Sequence, residues 1–173
     1  MEPEIKLTPE QQYELNHELY GSRIRSSWEQ TAINLAFDIA NYRSEDPYTQ
    51  VGACAIKQDG FEVGLGYNGP PGGVNINWRD RTAKNERVLH AEENVLNRVL
   101  PGEVVLLAVT HLPCTHCIKT IAQKKIKKVI YCIAIPKYEP EKTFELALEF
   151  GVSLIRMTPT TKNAPETLEY NRT

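Results

Sequence analysis

Residues 104–134 read VVLLAVTHLPCTHCIKTIAQKKIKKVIYCIA, and their pattern indicates the architecture of the domain. It holds two apolar runs, Val104–Thr110 and Val129–Ala134, of the kind found in strands that are buried on both faces. Between them, Cys117–Lys125 carries apolar residues at helical spacing. A helix that joins two strands makes them parallel and gives a right-handed crossover. The stretch therefore predicts an α/β fold with a parallel portion in its sheet.

The flanking segments extend this sheet in both directions. Val51–Ile56 and Phe61–Tyr67 lie on either side of Asp59-Gly60, a pair that favours a tight turn between antiparallel strands. Glu141–Phe150 is predicted to be a helix, and Val152–Met157 to be a last strand. We therefore predict a three-layer α/β/α fold. Its five-stranded mixed sheet has an antiparallel first hairpin, parallel later strands and helices on both faces.

The 173 residues suit one compact domain with two appendages. Thr8 and Gln11 form a capping-box pattern that opens a short polar helix, so residues 1–25 are predicted to be a helical extension. The main domain is expected over residues 26–157, and residues 158–173 form a polar tail.

Composition and charge exclude several classes of protein. With 41% hydrophobic and 24% charged residues, the chain is not disordered throughout. The net charge of −2 disfavours a broad surface for nucleic acid. No apolar run approaches the ~20 residues of a membrane span, and the N-terminus lacks a signal peptide's apolar stretch. We therefore expect a cytoplasmic protein with neither a membrane nor a nucleic-acid partner.

In a reducing compartment, spaced cysteines are more often metal ligands or catalytic groups than disulfides. Cys114 and Cys117 lie three residues apart at the start of a predicted helix, so both sulfurs can face one point. Together with His90 they form three ligands and leave a fourth position open, as in catalytic zinc sites. A structural zinc needs a fourth protein ligand, for which His111 and His116 are the nearby candidates. Cys54 and Cys132 lie within predicted strands and are expected to be buried.

Glu92 separates the catalytic from the structural interpretation. It follows a ligand by two positions, which is too close to join the same tetrahedron, but it can reach a water molecule on the metal. Zinc lowers the pKa of that water towards ~7. The carboxylate can then pass the proton to a ring nitrogen and a leaving amine. His-x-Glu followed by Pro-Cys-x-x-Cys is the signature of zinc deaminases that act on nucleobases.

On these motifs the chain resembles the zinc-dependent cytidine and deoxycytidylate deaminase superfamily over about residues 27–157. Three further segments, Arg43–Ala53, Gly66–Gly72 and Val109–Cys114, resemble its deoxycytidylate (dCMP) deaminase branch. The resemblance implies a cytidine-deaminase-like fold and the hydrolytic deamination of dCMP to dUMP and ammonia.

The resemblance also implies roles for individual residues. Zinc would be held by His90, Cys114 and Cys117, with Glu92 as the proton shuttle. The substrate would be bound by the Ala91 backbone N–H at the pyrimidine carbonyl oxygen, by Asn68 at the sugar, by Arg43 and Ser44 at the 5′-phosphate, and by Thr110, His111 and Leu112 nearby. From the sequence alone, Arg43 is equally well explained as a solvated cation at a helix C-terminus.

The chain departs from the family pattern in two places. Relatives often carry an aromatic residue near the substrate where this chain has Ile135, so either Ile135 fills that place or Tyr138 reaches it. Some relatives bind a second, structural zinc through Cys or His between the Asn68 loop and His90. Residues 69–89 contain neither type, so we predict one zinc per chain.

Members of this branch are often homo-hexamers that dCTP activates with magnesium and dTTP inhibits. The resemblance makes the loop after Asn68 the candidate for that regulatory site, with Gly72, Gly73, Val74, Asn75, Trp78 and Lys84 as its candidate residues. The plainer interpretation is a surface loop, with Trp78 in an oligomer contact.

Two rival functions remain. Another deaminase of the superfamily would act on tRNA adenosine or on a free nucleoside or base. The Glu141–Phe150 helix disfavours the free-nucleoside form, and the charge of −2 disfavours tRNA. A non-catalytic zinc-binding module would have no use for Glu92.

Overall fold

A computed structural model describes residues 8–11, 14, 26–58, 60 and 62–161. In chain order its elements are α1 (Trp28–Arg43), β1 (Gly52–Lys57), β2 (Val63–Tyr67), α2 (Arg81–Arg87), α3 (Ala91–Leu96), β3 (Val104–His111), α4 (Thr115–Gln123), β4 (Lys128–Ile133), a 3₁₀ turn (Pro136–Tyr138), α5 (Pro140–Glu149) and β5 (Ser153–Arg156).

The five strands form one mixed sheet in the order β2-β1-β3-β4-β5. β1 pairs antiparallel with both β2 and β3, whereas β3, β4 and β5 run parallel. The predicted hairpin and the predicted parallel portion are both confirmed. Because α4 and α5 make the connections between the parallel strands, β3 and β4 end at the same edge of the sheet, and α4 begins beside that edge.

Helices cover both faces of the sheet, which confirms the predicted three layers. On one face α1 packs through Ala32, Ile33 and Phe37 against the strand residues Cys54 and Cys132. The other face packs against α3, α4 and α5. Neighbouring positions of each central strand serve opposite faces, so β1, β3 and β4 carry apolar residues on both faces along most of their length, as the sequence indicated. Cys54 and Cys132 are buried and free, as expected.

Two glycines allow helices to lie unusually close to the sheet. A Cβ at Gly66 on β2 would collide with the carbonyl oxygen of Ala91 and lie 2.9 Å from the backbone nitrogen of Val95. Gly52 on β1 has the same relation to the backbone of α1 at Ala36 and Ala40. The absence of a side chain at Gly66 therefore sets the height of α3 above the sheet.

Three helices differ from the sequence prediction. The apolar spacing of Val95, Leu96 and Val99 predicts a helix from His90 to Leu100, but α3 ends at Leu96. Beyond it the Arg98 and Val99 N–H groups donate to the carbonyls three residues back, so the last turn tightens. α4 begins two residues earlier than predicted and ends before Lys125, which adopts a positive φ of 62°. α2 lies in a stretch read only as polar; it has no buried residue, so apolar spacing could not reveal it.

The described part of the N-terminal extension contains the predicted capping box. The Gln11 N–H donates to Thr8 Oγ1 at 3.2 Å, and the Thr8 N–H donates to Gln11 Oε1 at 3.0 Å. The rest of the helix predicted to reach Tyr20 falls outside the described residues. Residues 158–161 lie along α1, where the Thr160 N–H donates to Asn34 Oδ1 at 2.8 Å. Among the residues that the structure describes, no helix is both long and apolar enough to cross a membrane.

Candidate active site

The starts of two helices bring three metal-binding side chains to one point. His90 is the N-cap of α3, Cys114 is the N-cap of α4, and Cys117 lies in the first turn of α4. His90 Nδ1 is 3.3 Å from Cys117 Sγ and 3.6 Å from Cys114 Sγ. The three ligand atoms all lie within 4.8 Å of one another.

This donor set fits zinc. With bonds of about 2.0–2.1 Å to nitrogen and about 2.3 Å to sulfur, a tetrahedral site separates its nitrogen and sulfur ligands by roughly 3.6 Å. The observed nitrogen-to-sulfur separations lie close to this value. One imidazole and two thiolates leave the fourth position to water or substrate.

The charges of the three groups also suit a cation. A hydrogen bond from the Cys117 thiol lowers the pKa of Cys114 to about 3, so Cys114 is a thiolate. A hydrogen bond to Cys114 raises the pKa of His90 to about 9. Cys117 is the proton donor to Cys114, and its own pKa is raised. A metal ion that displaces the protons of His90 and Cys117 therefore finds one ligand already ionised.

Glu92 lies beside this trio in the first turn of α3 and is 4% exposed. Burial raises the pKa of its carboxyl group to about 7, and the neighbouring His90 opposes that rise. A carboxyl group with a pKa near neutrality can both accept and release a proton, which is what a general acid and base requires.

Residues outside the trio hold its ligands in place. Glu93 accepts the His90 N–H at 2.9 Å and contacts His116 Nε2 at 3.2 Å, so one carboxylate connects α3 to α4. On α5, the buried Thr143 hydroxyl donates to the carbonyl oxygen of Pro113 at 3.1 Å. Such second contacts orient ligands and are part of a metal site's design.

A cavity of about 300 Å³ opens beside these groups. This volume is at the lower end of the range for small-molecule sites, about 300–1,000 Å³. Its wall is formed by Asp46, Thr49, Val51, Asn68, Lys84, Asn85, Val88, His90, Ala91, Glu92, His111, Leu112, Pro113, Cys114, Ile133, Ile135, Tyr138, Pro140 and Thr143. Both residues considered for the missing family aromatic, Ile135 and Tyr138, therefore contribute to it.

The structure separates the predicted substrate-binding residues into two groups. Asn68, Ala91, His111 and Leu112 line the cavity. The other three lie outside its lining. Arg43 is exposed, with its guanidinium 5.6 Å from the ring centre of Tyr67, and the Ser44 hydroxyl donates to Asn68 Oδ1 at 2.5 Å. Thr110 is fully buried and accepts the Gly52 N–H at 3.2 Å.

Asn68 also organises the loop that precedes β1. Its Oδ1 accepts hydrogen bonds from Ser44 and from the Val51 N–H at 2.9 Å, while its Nδ2 donates to the Thr49 carbonyl at 2.8 Å. The amide oxygen is therefore fully engaged. One Nδ2 hydrogen remains for a ligand, so Asn68 can only donate to a sugar oxygen.

Sequence reasoning missed one polar feature of the cavity wall. From the sequence, Asp46 is only one position of the Arg43–Ala53 segment, and Lys84 is only a regulatory candidate. In the structure they form an ion pair, and both line the cavity. The β1–β2 hairpin and the loop before α2 separate them in the sequence, which carries no signal of this contact. Of the other regulatory candidates, Gly72, Gly73, Val74 and Asn75 are exposed and Trp78 is half-buried.

Comparisons with known proteins agree with the motifs. Residues 26–133 match the family model described as the cytidine and deoxycytidylate deaminase zinc-binding region. A deoxycytidylate deaminase of Mus musculus is 35% identical over 146 residues, which cover 76% of this chain and 80% of the mouse protein. A ComE operon protein 2 of Bacillus subtilis is 34% identical over 118 residues, or 62% of this chain and 60% of that protein.

Solved structures share the fold. The apo dCMP deaminase of cyanophage S-TIM5 superposes with a TM-score of 0.60 at 26% identity, covering 78% of this chain and 100% of the phage chain. The same phage enzyme in complex with dCMP and dUMP superposes with a TM-score of 0.58 at 25% identity, covering 88% and 100% of the two chains.

Proposed function

Because this chain belongs to the cytidine and deoxycytidylate deaminase family, as its motifs predicted, we propose that it is an enzyme that deaminates dCMP hydrolytically to dUMP and ammonia. The names of the similar mouse and phage proteins support the choice of dCMP within the family.

One observation carries the proposal: the buried Glu92 carboxyl lies at the same cavity as His90 and Cys114, with a pKa of about 7. His90, Cys114 and Cys117 would hold the zinc ion, which would supply a water molecule activated for attack at neutral pH. Glu92 takes one proton from the attacking water at its carboxylate and passes it to the pyrimidine ring nitrogen; it then takes the second proton of that water and passes it to the amine, which leaves as ammonia. A carboxyl group with an ordinary pKa would be a weaker base and would hold the transferred proton less readily at neutral pH.

The remaining roles concern the orientation of the substrate. The Ala91 N–H is in the first turn of α3, where backbone donors have no partner within the helix, and we propose that it binds the pyrimidine carbonyl oxygen. The free Nδ2 hydrogen of Asn68 donates to the sugar. His111 and Leu112 form the adjacent wall. Arg43 and Ser44 remain the residues that the family resemblance assigns to the 5′-phosphate.

Regulation and assembly belong to the same proposal. We propose a homo-hexamer activated by dCTP with magnesium and inhibited by dTTP, with the exposed loop at Gly72–Asn75 as part of the effector site. Trp78 would contribute to that site or to a contact between subunits. Mass measurement in solution tests the hexamer, and activity titrated with each triphosphate tests the regulation.

The deaminase domain is proposed to span residues 26–157, between the helical extension and the polar tail. A cytoplasmic location fits the four free cysteines that the structure describes, because free thiols persist in a reducing compartment.

A comparison of substrates tests the proposed reaction. Purified enzyme, assayed by loss of ultraviolet absorbance, is expected to deaminate dCMP with a higher kcat/KM than deoxycytidine, cytidine or adenosine. Equal kcat/KM with and without the 5′-phosphate would contradict the assignment to dCMP. Faster turnover of adenosine would favour the rival deaminase class.

A further inference from the structure

The charges on the cavity wall are uneven. Among the described residues that line the cavity, Lys84 is the one Lys or Arg, while Asp46 and Glu92 are acids. A nucleoside monophosphate carries a charge of about −1.5 to −2 at neutral pH. Such a group needs a cation beside it to enter a cavity lined by carboxylates.

The position of the Lys84 ammonium is fixed by a buried carboxylate. The Asp46 side chain is 0% exposed, and its Oδ1 accepts the backbone N–H groups of Tyr48 at 2.8 Å and Thr49 at 3.1 Å. Its Oδ2 pairs with Lys84. Because the carboxylate is held by the backbone, it holds the ammonium in turn at the cavity wall.

Lys84 keeps capacity for a second partner. Its side chain is 23% exposed, and an ammonium group has three hydrogens, of which the pair with Asp46 does not use all. The alternative is that the pair only fastens α2, which has no buried residue, to the rest of the domain. A buried ion pair adds little net stability compared with apolar packing, so fastening alone is a weak reason to place these charges at the cavity.

Resting on the proposed function, we propose that Lys84 binds the 5′-phosphate of the substrate and that Asp46 is the positioning residue for Lys84. In the empty cavity the ion pair leaves this part of the wall neutral, so an unphosphorylated nucleoside gains nothing from Lys84. A phosphate gains charge-assisted hydrogen bonds from the remaining ammonium hydrogens. This contact therefore adds a preference for a nucleotide over a nucleoside from α2, beside the contribution proposed for Arg43 and Ser44.

Lys84→Met tests the proposal, because it removes the charge and keeps most of the side-chain length. Loss of a hydrogen bond between charged groups predicts a rise of roughly 10- to 100-fold in KM for dCMP, with kcat changed far less. kcat/KM for deoxycytidine should stay within about threefold of wild type. Lys84→Arg keeps a cation and should recover most of the affinity for dCMP.

Two further variants separate binding from folding. Arg87→Met makes a similar change on the same helix at a side chain outside the cavity lining, and it should leave both substrates unaffected. Lys84→Met also strands the buried Asp46 carboxylate, so the double variant Asp46→Asn with Lys84→Met removes both charges. It should regain thermal stability and still show the raised KM for dCMP.

The outcomes separate this proposal from the one on which it rests. A wild-type enzyme without preference for dCMP over deoxycytidine would refute the proposed function. A wild-type preference that persists unchanged in Lys84→Met would refute only the assignment of Lys84. Equal losses on both substrates, recovered together in the double variant, would show that the pair merely fastens α2.

Discussion

Because α3 lies close to β2, we predict that Gly66→Ala displaces α3 and, with it, the active-site residues at the start of that helix. A Cβ at Gly66 would meet the Ala91 carbonyl and lie 2.9 Å from the Val95 nitrogen and 3.0 Å from its Cβ. Backbone atoms cannot turn away as a side chain can, so α3 must lift. Overpacking of this kind costs about 1–3 kcal/mol of unfolding free energy. A displacement of about 1 Å at catalytic groups costs on the order of 100-fold in rate.

Gly64→Ala provides the matched control on the same strand. There a Cβ would meet the Val95 Cγ2 methyl at 3.0 Å, and no backbone atom closer than 4.0 Å. We expect this variant to lose about 1 kcal/mol or less. Urea unfolding gives both free energies, and kcat for dCMP with the zinc content gives the effect on the site. If Gly66→Ala keeps wild-type kcat and is no less stable than Gly64→Ala, the packing of α3 on β2 does not position Glu92.

Two other contacts give separate predictions. Thr143→Val leaves the buried Pro113 carbonyl without its donor, which should lower the free energy of unfolding by about 1–3 kcal/mol and speed the loss of zinc to a chelator. Thr143→Ser keeps the hydroxyl and should lose zinc at the wild-type rate. Equal rates of zinc loss in the two variants would contradict the role of this hydrogen bond. Burial lowers the pKa of His111 from 6.5 to about 4, so between these values the unfolded chain binds a proton that the folded chain excludes. Stability should therefore fall as the pH drops below about 6.5, by roughly 2 kcal/mol near pH 5. Urea unfolding at several pH values should show a smaller loss of stability in His111→Gln and an unchanged loss in His116→Gln. An undiminished loss of stability in His111→Gln would refute the assignment of the pH dependence to His111.

Much of the fold could be predicted because the central strands carry apolar residues on both faces along most of their length. Val104–Thr110 and Val129–Ala134 are buried by helices on both faces, and the element between them could only be a crossover. α2 could not be predicted, because it has no buried residue and therefore no apolar spacing. α3 ends early because its last turn tightens to hydrogen bonds between residues three apart, which the apolar spacing does not reveal.

The candidate metal site could be predicted from the sequence for a different reason. Cys114 and Cys117 are close in sequence, and His90 belongs to a motif whose residue types have few other uses together. The cavity wall depends on contacts between distant segments. Lys84 on α2 pairs with Asp46, which lies before the β1–β2 hairpin, and the Asn68 amide oxygen accepts hydrogen bonds from Ser44 and Val51. No local sequence pattern indicates these contacts.

The most direct test of the central claim is the turnover of dCMP by Glu92→Gln, measured together with its zinc content. The variant keeps the shape of the side chain and removes its ability to take up a proton. We predict that zinc stays bound while kcat falls by about 10²- to 10⁴-fold, the usual contribution of general acid and base catalysis. A zinc-loaded Glu92→Gln enzyme with kcat within tenfold of wild type would contradict the account, because Glu92 would then not carry the proton.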